Sequence, residues 1–159
     1  MMKWRVALSA FLLIAAGAGC TSGPFAAMTT ESLAKVPLTI RTATGDRSFT
    51  VEIARSGEEQ QRGMMFRENM AANAGMIFPM EPPRMASFWM KNTLIPLDMI
   101  FVRSDGTIAR IAPDTVPQSL EPVSSGEPIA AVLEIAGGQA AKQGIGEGDR
   151  VIWRDPQGK

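Results

Sequence analysis

The stretch SFWMKNTLIPLDMIF, residues 87–101, carries the strongest structural signal in the chain. Aromatic and aliphatic side chains dominate it on both sides of Pro96, which predicts two β-strands, Phe88 to Asn92 and Leu97 to Val102, broken at the proline. A buried charge costs free energy unless it is paired, so polar residues inside such a run mark a place where functional chemistry is expected. Three polar residues interrupt the run: Lys91, Asn92 and Asp98.

Short apolar stretches separated by glycine and proline continue outward from this segment in both directions. Alternating apolar residues flank the turn Thr44-Gly45-Asp46, which predicts a hairpin with one buried face. Asp105-Gly106 is a two-residue turn typical of another hairpin. Further strands are predicted at Met76 to Phe78, Ile129 to Ile135 and Arg150 to Arg154.

Helical signals are few. Ser56 and Glu59 form a capping-box pattern that predicts a short helix ending at Gly63, and a second brief helix is predicted from Gly137 to Gln143. The connections between strands look too short for parallel crossovers. The sequence therefore predicts a mainly β fold, a compact antiparallel sandwich-like or barrel-like domain with one or two short helices.

The N-terminus has the features of an export signal. Lys3 and Arg5 precede the apolar run Val6 to Ala16, which is too short to span a bilayer comfortably. Small residues lead to Cys20, as in a bacterial lipoprotein signal, although Ala16-Gly17-Ala18 also suits simple secretion. The predicted organisation is a signal peptide with a lipidated Cys20 over residues 1–20, a flexible tether over 21–36 and one β-rich domain over 37–155.

This organisation predicts an exported, periplasmic protein held by a lipid anchor. Thr21, not aspartate, follows Cys20, which favours the outer membrane. The membrane is expected to be contacted only through the anchor, and a monomer is expected.

Composition excludes several classes of active site. The chain has one cysteine, no histidine and no tyrosine. If Cys20 is lipidated, thiol catalysis and zinc–thiolate sites are excluded. The absence of histidine excludes all histidine-based triads. Beyond the signal peptide, sixteen acidic residues face fourteen basic ones, because Lys3 and Arg5 are subtracted from sixteen. No basic tract is present, so nucleic acid is not an expected partner.

Several ordered motifs resemble the domain of unknown function 192 family, over Leu38 to Trp153. They begin with Arg62 to Arg67, Gly75 to Phe78, Phe88 to Thr93 and Pro96 to Asp98. They continue with Asp105-Gly106, Ser125-Gly126, Val132 to Glu134 and Gly148-Asp149. The resemblance implies a compact β-rich domain that is often exported or membrane-tethered. It implies no activity, substrate or cofactor.

The candidate binding site centres on the interrupted run. If the chain bends between Asn92 and Pro96, Lys91 could meet Asp98 beside Trp89, forming the edge of a pocket for an anionic or polyol ligand. The structural alternative is an ion pair and an asparagine that stabilises the bend. Arg67 is the last residue of the predicted ligand-binding site, because it follows the first helix and a loop could turn its side chain inward. The structural alternative is a surface ion pair between Arg67 and a glutamate.

Two further chemistries are open. Eight methionines between residues 64 and 99 could bind Cu(I), or could simply pack a core around irregular loops.

Glu52 and Glu134 are expected to face solvent, and a glycosidase-like pairing of Asp98 with Glu134 rests on composition alone. No metal site and no cofactor are predicted.

Three functions follow from these observations. The first is a non-enzymatic module of the cell envelope that binds a small ligand or a partner protein. The second is a hydrolase or transferase that uses Lys91 and Asp98. The third is Cu(I) binding through methionines. Whether the protein is an enzyme is left open by the sequence, and the missing histidine and thiol favour a binding module.

Overall fold

Nine strands and two short helices make up the part of the chain, residues 32–157, that the computed structural model describes. The strands are β1 (Lys35–Thr42), β2 (Gly45–Ile53), β3 (Ala74–Arg84), β4 (Ser87–Phe88), β5 (Leu97–Val102), β6 (Ile108–Thr115), β7 (Val123–Ser124), β8 (Ile129–Ala136) and β9 (Arg150–Trp153). The helices are α1 (Gly57–Arg62) and α2 (Gln139–Gln143). The predicted mainly β class with two short helices is confirmed.

Seven of the strands form one sheet in the order β6-β5-β8-β3-β2-β1-β9, while β4 and β7 pair separately. Every pairing is antiparallel except that of β2 with β3, so the sheet is mixed and the purely antiparallel prediction needs correction. The parallel pair is possible because residues 54–73, which include α1, are long enough to return the chain to the same end of the sheet.

The two edges of the sheet approach each other without closing. Thr107 and Arg150 form an isolated bridge between the β6 and β9 sides, and the N–H of Ile108 donates to the carbonyl of Asp149 at 2.8 Å. Within residues 32–157 no continuous ladder joins these edges. The architecture is therefore sandwich-like and is not a closed barrel.

Side chains alternate between two hydrophobic clusters on opposite faces of the sheet. On β5, Ile100 and Val102 join one cluster while Met99 and Phe101 join the other. The aliphatic cluster comprises Val36, Leu38, Ile40, Phe49, Val51, Ile53, Ile77, Ile100, Val102, Ile108, Ala131, Leu133, Ile135, Ala140, Ile145 and Val151. The methionine cluster comprises Ala54, Met64, Met76, Phe78, Met80, Ala86, Met90, Leu97, Met99, Phe101, Ala112, Ile129 and Val132. A central strand such as β8 is consequently apolar on both faces.

Three loops, residues 63–73, 89–96 and 116–122, cover the methionine cluster and are called the covering loops. They are joined by backbone hydrogen bonds, from Phe66 to the carbonyl of Asn92 at 2.8 Å and from Met90 to that of Ser119 at 3.0 Å. The predicted strand from Phe88 to Asn92 is wrong beyond Phe88, because its backbone bonds to other loops and not to a sheet.

The predicted signal peptide, the lipidation of Cys20 and most of the predicted tether lie outside the described residues and stay predictions. Strand β1 already begins at Lys35, near the end of the predicted tether. Among residues 32–157, no helix is both long and apolar enough to cross a bilayer.

Candidate functional site

A narrow cleft of about 40 Å³ opens between α1, two covering loops and strand β8. Its walls come from residues 60–65 on one side and from Phe88, Trp89, Lys91 and Thr93 on the other. Glu134 of β8 lies at its floor, beside Phe78 of β3. Two of the predicted site residues, Trp89 and Lys91, therefore share a cavity, and they share it with an acid that was expected on the surface.

The wall formed by α1 is fixed by local hydrogen bonds. The helix begins with the predicted capping box, in which the side chain of Ser56 accepts from the N–H of Glu59 at 3.1 Å and Glu59 accepts from the N–H of Ser56 at 2.8 Å. The side-chain amide of Gln60 donates to the carbonyls of Ala54 and Pro79. The helix is thus tied to the end of β2 and to the middle of β3, which fixes the wall relative to the sheet.

Gly63 lets the chain leave α1 close to the sheet. Its φ of 44° is in the region that favours glycine, and an added Cβ would lie 3.3 Å from the ring of Phe78. Met64, which follows, is buried in the methionine cluster. The loop after α1 is therefore pressed against β3 beside the cleft.

The opposite wall alternates between buried and exposed side chains. Met90 is buried and accepts a hydrogen bond at its sulfur from the hydroxyl of Thr115 at 3.2 Å. Its neighbours Trp89 and Lys91 face outward, and the Lys91 Nζ lies 5.1 Å from the centroid of the Trp89 ring. This cation–π contact holds the lysine and the indole together at the mouth of the cleft.

Asn92 has a backbone role. Its φ is 56°, a conformation that asparagine tolerates better than most residues, and its carbonyl accepts from the N–H of Phe66. Its side chain makes one long contact, 3.8 Å from Nδ2 to the sulfur of Met65. The bend-stabilising interpretation is the one that this geometry favours.

Glu134 is the most unusual side chain in the domain. It is 4% exposed and lies directly across from Met76 on β3 and Met99 on β5, both fully buried. Alternation along β8 puts Leu133 and Ile135 in the aliphatic cluster, so Glu134 points to the methionine face. The expectation that it faces solvent is wrong, because the covering loops bury the face on which it lies.

The carboxyl group of Glu134 has no hydrogen-bond or ion-pair partner within residues 32–157. In that part of the chain, every side-chain nitrogen or oxygen wholly cut off from solvent does have a partner. The carboxyl oxygens of Glu134 therefore keep some exposure to solvent. Because Glu134 lines the cleft, we infer that its carboxyl group borders the cavity.

Burial raises the pKa of Glu134 to about 8, and the positive charge of Arg67 opposes this rise without cancelling it. The cause is desolvation, which penalises the ionised form of an acid between two thioethers. At neutral pH the group is predominantly a carboxylic acid. It can donate one hydrogen bond through its O–H and accept others.

Arg67 has a different neighbour. Its guanidinium forms a bidentate ion pair with the carboxylate of Glu52. Glu52 lies on β2, opposite Met76. Glu52, Met76, Glu134 and Met99 thus form one cross-strand row on the methionine face. Arg67 and Glu52 line a separate cavity of about 280 Å³, so Arg67 is not part of the Trp89–Lys91 cleft.

Asp98 lies on the opposite face of the sheet and is fully buried. One carboxylate oxygen accepts from the N–H groups of Asp114 and Gly138, both at 2.9 Å, and the other accepts from that of Ala140 at 2.7 Å. It anchors the start of α2 and the end of β6 to β5. These bonds explain why a charge is tolerated in a core strand.

The expected pairing of Lys91 with Asp98 is therefore not formed. Among the described residues no ion pair joins them, and Asp98 alternates with Met99 so that it faces away from the cleft. The same alternation separates Asp98 from Glu134, which removes the geometric basis for a paired-carboxylate glycosidase. A hydrolase or transferase using Lys91 with Asp98 has no shared site here.

Most of the methionines pack. Five of the eight between residues 64 and 99 belong to the buried methionine cluster, namely Met64, Met76, Met80, Met90 and Met99. Met85 is 54% exposed. Core packing around irregular loops accounts for the buried set, while Cu(I) binding stays a prediction. Within residues 32–157, no three acidic, histidine or cysteine side chains converge as a metal site would require.

Glu134 is the functional candidate that sequence reasoning missed, although a signal was present. Residues 129–135 read Ile-Ala-Ala-Val-Leu-Glu-Ile, an apolar run with no alternation. Such a run predicts a strand that is covered on both faces, so the acid within it had to be buried. Gln60, which fixes one wall, carried no comparable signal.

Solved structures of two bacterial proteins share this fold. One, from Sinorhizobium meliloti 1021, described as a proposed transcription regulator, is 41% identical, with a TM-score of 0.75 over 77% of this chain and 95% of its own. The other, a protein of unknown function from Novosphingobium aromaticivorans, is 46% identical, with a TM-score of 0.76 over 79% of this chain and 89% of its own. No match was found among the curated proteins.

The family comparison agrees with the motifs. The model of the DUF192 family, described as an uncharacterized ACR, matches residues 39–153, which span the sheet, the covering loops and the cleft. The chain belongs to the DUF192 family.

Proposed function

We propose that this protein is a small-ligand-binding module of the cell envelope and that the cleft between Trp89, Lys91 and Glu134 is its binding site. One observation carries the proposal: the carboxyl group of Glu134 is buried, has no hydrogen-bond or ion-pair partner within residues 32–157, and belongs to a side chain that lines the cleft. A ligand that enters the cleft would supply the missing partner.

An unpartnered buried polar group is expensive for a fold. Where neither water nor a ligand reaches such a group, leaving it unsatisfied costs about 1–3 kcal/mol, and an apolar residue of similar size would avoid that cost. Leucine or methionine would suit the position between Met76 and Met99. Groups that a fold holds at such a disadvantage cluster at binding and active sites, which supports a functional interpretation.

Binding is favoured over catalysis by the chemistry available near Glu134. The chain has no histidine and no tyrosine. The hydroxyl of Ser125 is buried and already bonded, because it accepts from the N–H of Ala86 at 3.0 Å and donates to the carbonyl of Glu127 at 2.7 Å. The described residues of the cleft therefore include an acid and an amine but no activated nucleophile.

The envelope location rests on the sequence. The basic start, the short apolar run and Cys20 support export followed by lipid anchoring, with the domain on the periplasmic side. Metabolic labelling with a radioactive fatty acid in a Gram-negative host tests this. The wild type should be labelled and found with membranes, whereas Cys20→Ala should be unlabelled and soluble. An unlabelled, soluble wild type would refute the anchor.

Ligand binding can be tested without knowing the ligand. A fragment library that contains acids, amines, polyols and neutral heterocycles would be screened by ¹H–¹⁵N NMR against the full-length protein. Shifts should concentrate at residues 60–65, 88–93 and 134, and should weaken in Trp89→Ala. Ile152→Ala, which truncates an exposed apolar side chain on β9, is the matched control and should bind as the wild type does. Hits confined to other surfaces would refute the site.

A further inference from the structure

The charges around the cleft are of one sign apart from its floor. Arg62 and Lys91 line it and are both exposed, and Glu134 is the one acidic residue among the described lining residues. Within residues 32–157 neither cation forms an ion pair. An entering group thus meets two positive charges at the mouth and a carboxyl at the floor.

Building on the proposed function, we propose that the cleft binds a small oxyanion, the carboxylate group of its ligand, and that the carboxyl of Glu134 donates a hydrogen bond to it. A carboxylic acid has one O–H donor, and O–H···O⁻ bonds between acid and carboxylate are short and about twice as strong as neutral ones. Lys91 and Arg62 then balance the ligand's charge at the mouth.

The alternatives fit less well. A cationic ligand would meet Lys91 and Arg62, and could pair with Glu134 only if that group lost its proton inside the protein, which its burial disfavours. A polyol would meet no such conflict. Its hydrogen bond with the neutral acid of Glu134 would itself be neutral, however, and such a bond is about half as strong as one between the acid and a carboxylate.

The size of the cleft also limits the ligand. A volume of about 40 Å³ has room for a terminal group, not for a whole metabolite. The remainder of the ligand would lie outside, against the half-exposed ring of Trp89. The expected ligand is a small molecule that presents a carboxylate at one end and an apolar or planar body at the other.

The groups that face Glu134 predict that ligand binding depends on its protonation state. Met76 of β3 and Met99 of β5 flank it without charge, Glu52 of β2 is bound to Arg67, and Lys91 and Arg62 approach from the loops. Arg67 lowers the pKa of Glu134 and a bound carboxylate would raise it. Binding should therefore require the protonated form and weaken as Glu134 ionises.

The test uses acetate as the probe, with methylammonium and glycerol as matched probes, and the full-length protein. Dissociation constants would be measured by NMR between pH 6 and pH 10. Acetate should bind, and its dissociation constant should increase toward tenfold per pH unit above about pH 8. Glu134→Gln, whose amide donates at every pH, should bind acetate without this dependence.

Two variants locate the interactions. Glu134→Leu cannot donate and should weaken acetate binding at least tenfold, while near-UV circular dichroism verifies its fold. Lys91→Gln should weaken binding but keep the pH dependence, because it leaves the acid in place. An unchanged pH dependence in Glu134→Gln would show that another group supplies the proton and would overturn the inference.

The remaining outcomes separate this inference from the proposed function. If methylammonium or glycerol binds in place of acetate, and Glu134→Leu abolishes that binding, the oxyanion inference fails and the binding site stands. If none of the probes shifts a residue of the cleft at concentrations on the order of 100 mM, at which even dissociation constants of tens of millimolar would be detected, the oxyanion inference fails. If the fragment screen also gives no shift in the cleft, the proposed binding site fails with it.

Discussion

Two buried acids on neighbouring strands have opposite surroundings. Asp98 faces the aliphatic cluster and accepts three backbone hydrogen bonds, whereas Glu134, beside it on β8, faces the methionine cluster and has no partner among the described residues. They are 0% and 4% exposed, so burial does not distinguish them. The difference lies in what covers each face: α2 brings N–H groups to Asp98, while the covering loops leave a cavity above Glu134. Bonding, not burial, separates the structural acid from the functional candidate.

The largest expected effect tests the structural half of this comparison. Asp98→Ala removes the acceptor of three buried N–H groups, and since each unsatisfied donor costs about 1–3 kcal/mol, the free energy of unfolding should fall by at least about 3 kcal/mol. Urea-induced unfolding would measure it. Glu134→Leu is the matched change on the other face and should be neutral or stabilising. A larger loss in Glu134→Leu than in Asp98→Ala would reverse the assignment of roles.

The second prediction concerns pH. Folded Glu134 keeps its proton to about pH 8, while in the unfolded chain it releases it near 4.5. Unfolding therefore releases a proton from Glu134 between about pH 4.5 and pH 8. In this range the contribution of Glu134 to the free energy of unfolding falls with rising pH, by up to about 1.4 kcal/mol per pH unit. Below about pH 4.5 the contribution is constant. Denaturation across pH 4 to 9 should show the wild type losing stability relative to Glu134→Gln as pH rises from about 4.5 to about 8. Parallel curves would contradict the burial of this acid.

The covering loops can be tested at Gly63. Alanine there meets the ring of Phe78 and a backbone conformation suited to glycine, so Gly63→Ala should destabilise the protein by about 1–3 kcal/mol and displace one wall of the cleft. Thermal unfolding and the NMR shifts of β8 would report the two effects. Gly146→Ala is the control, because an added Cβ there contacts nothing within 4 Å. Equal effects in both variants would show that the loop is not tightly packed at Gly63.

The smallest effect is expected at the mouth of the cleft. Lys91→Gln removes a cation from the face of Trp89 at an exposed position, so stability should change by less than about 1 kcal/mol. The fluorescence of Trp89 should nevertheless shift, and Lys142→Gln on α2 should leave it unchanged. An unaltered emission spectrum would mean that the lysine does not rest on the ring in solution.

Local chemistry explains what could be predicted from the sequence. The capping box of Ser56 and Glu59, the hairpin at Gly45 and the turn at Asp105-Gly106 each depend on a few neighbouring residues, and all are present. The parallel pairing of β2 with β3 depends on how a 20-residue connection crosses the sheet, which no local pattern encodes.

The segment after Phe88 shows why the site was only partly predicted. Its alternation of buried Met90 with exposed Trp89 and Lys91 is the pattern of a strand, which explains why a strand was predicted there. The backbone, however, bonds to Ser119 on another loop, and that contact lies far away in sequence. The cleft forms where loops that are distant in sequence meet over Glu134. The sequence does not show such contacts, so the prediction paired Lys91 with Asp98, which is the nearer acid in sequence.

The covering loops also have a consequence for hydrogen exchange. The amides of Phe66, Met90 and Gln118 are protected by single loop-to-loop bonds, whereas those of β5 and β8 belong to continuous ladders. Regions held by few bonds open locally at a lower free energy than the fold as a whole. The layer above Glu134 should therefore exchange as its own cooperative unit, and such opening would admit molecules too large for the closed cleft while the sheet stays folded.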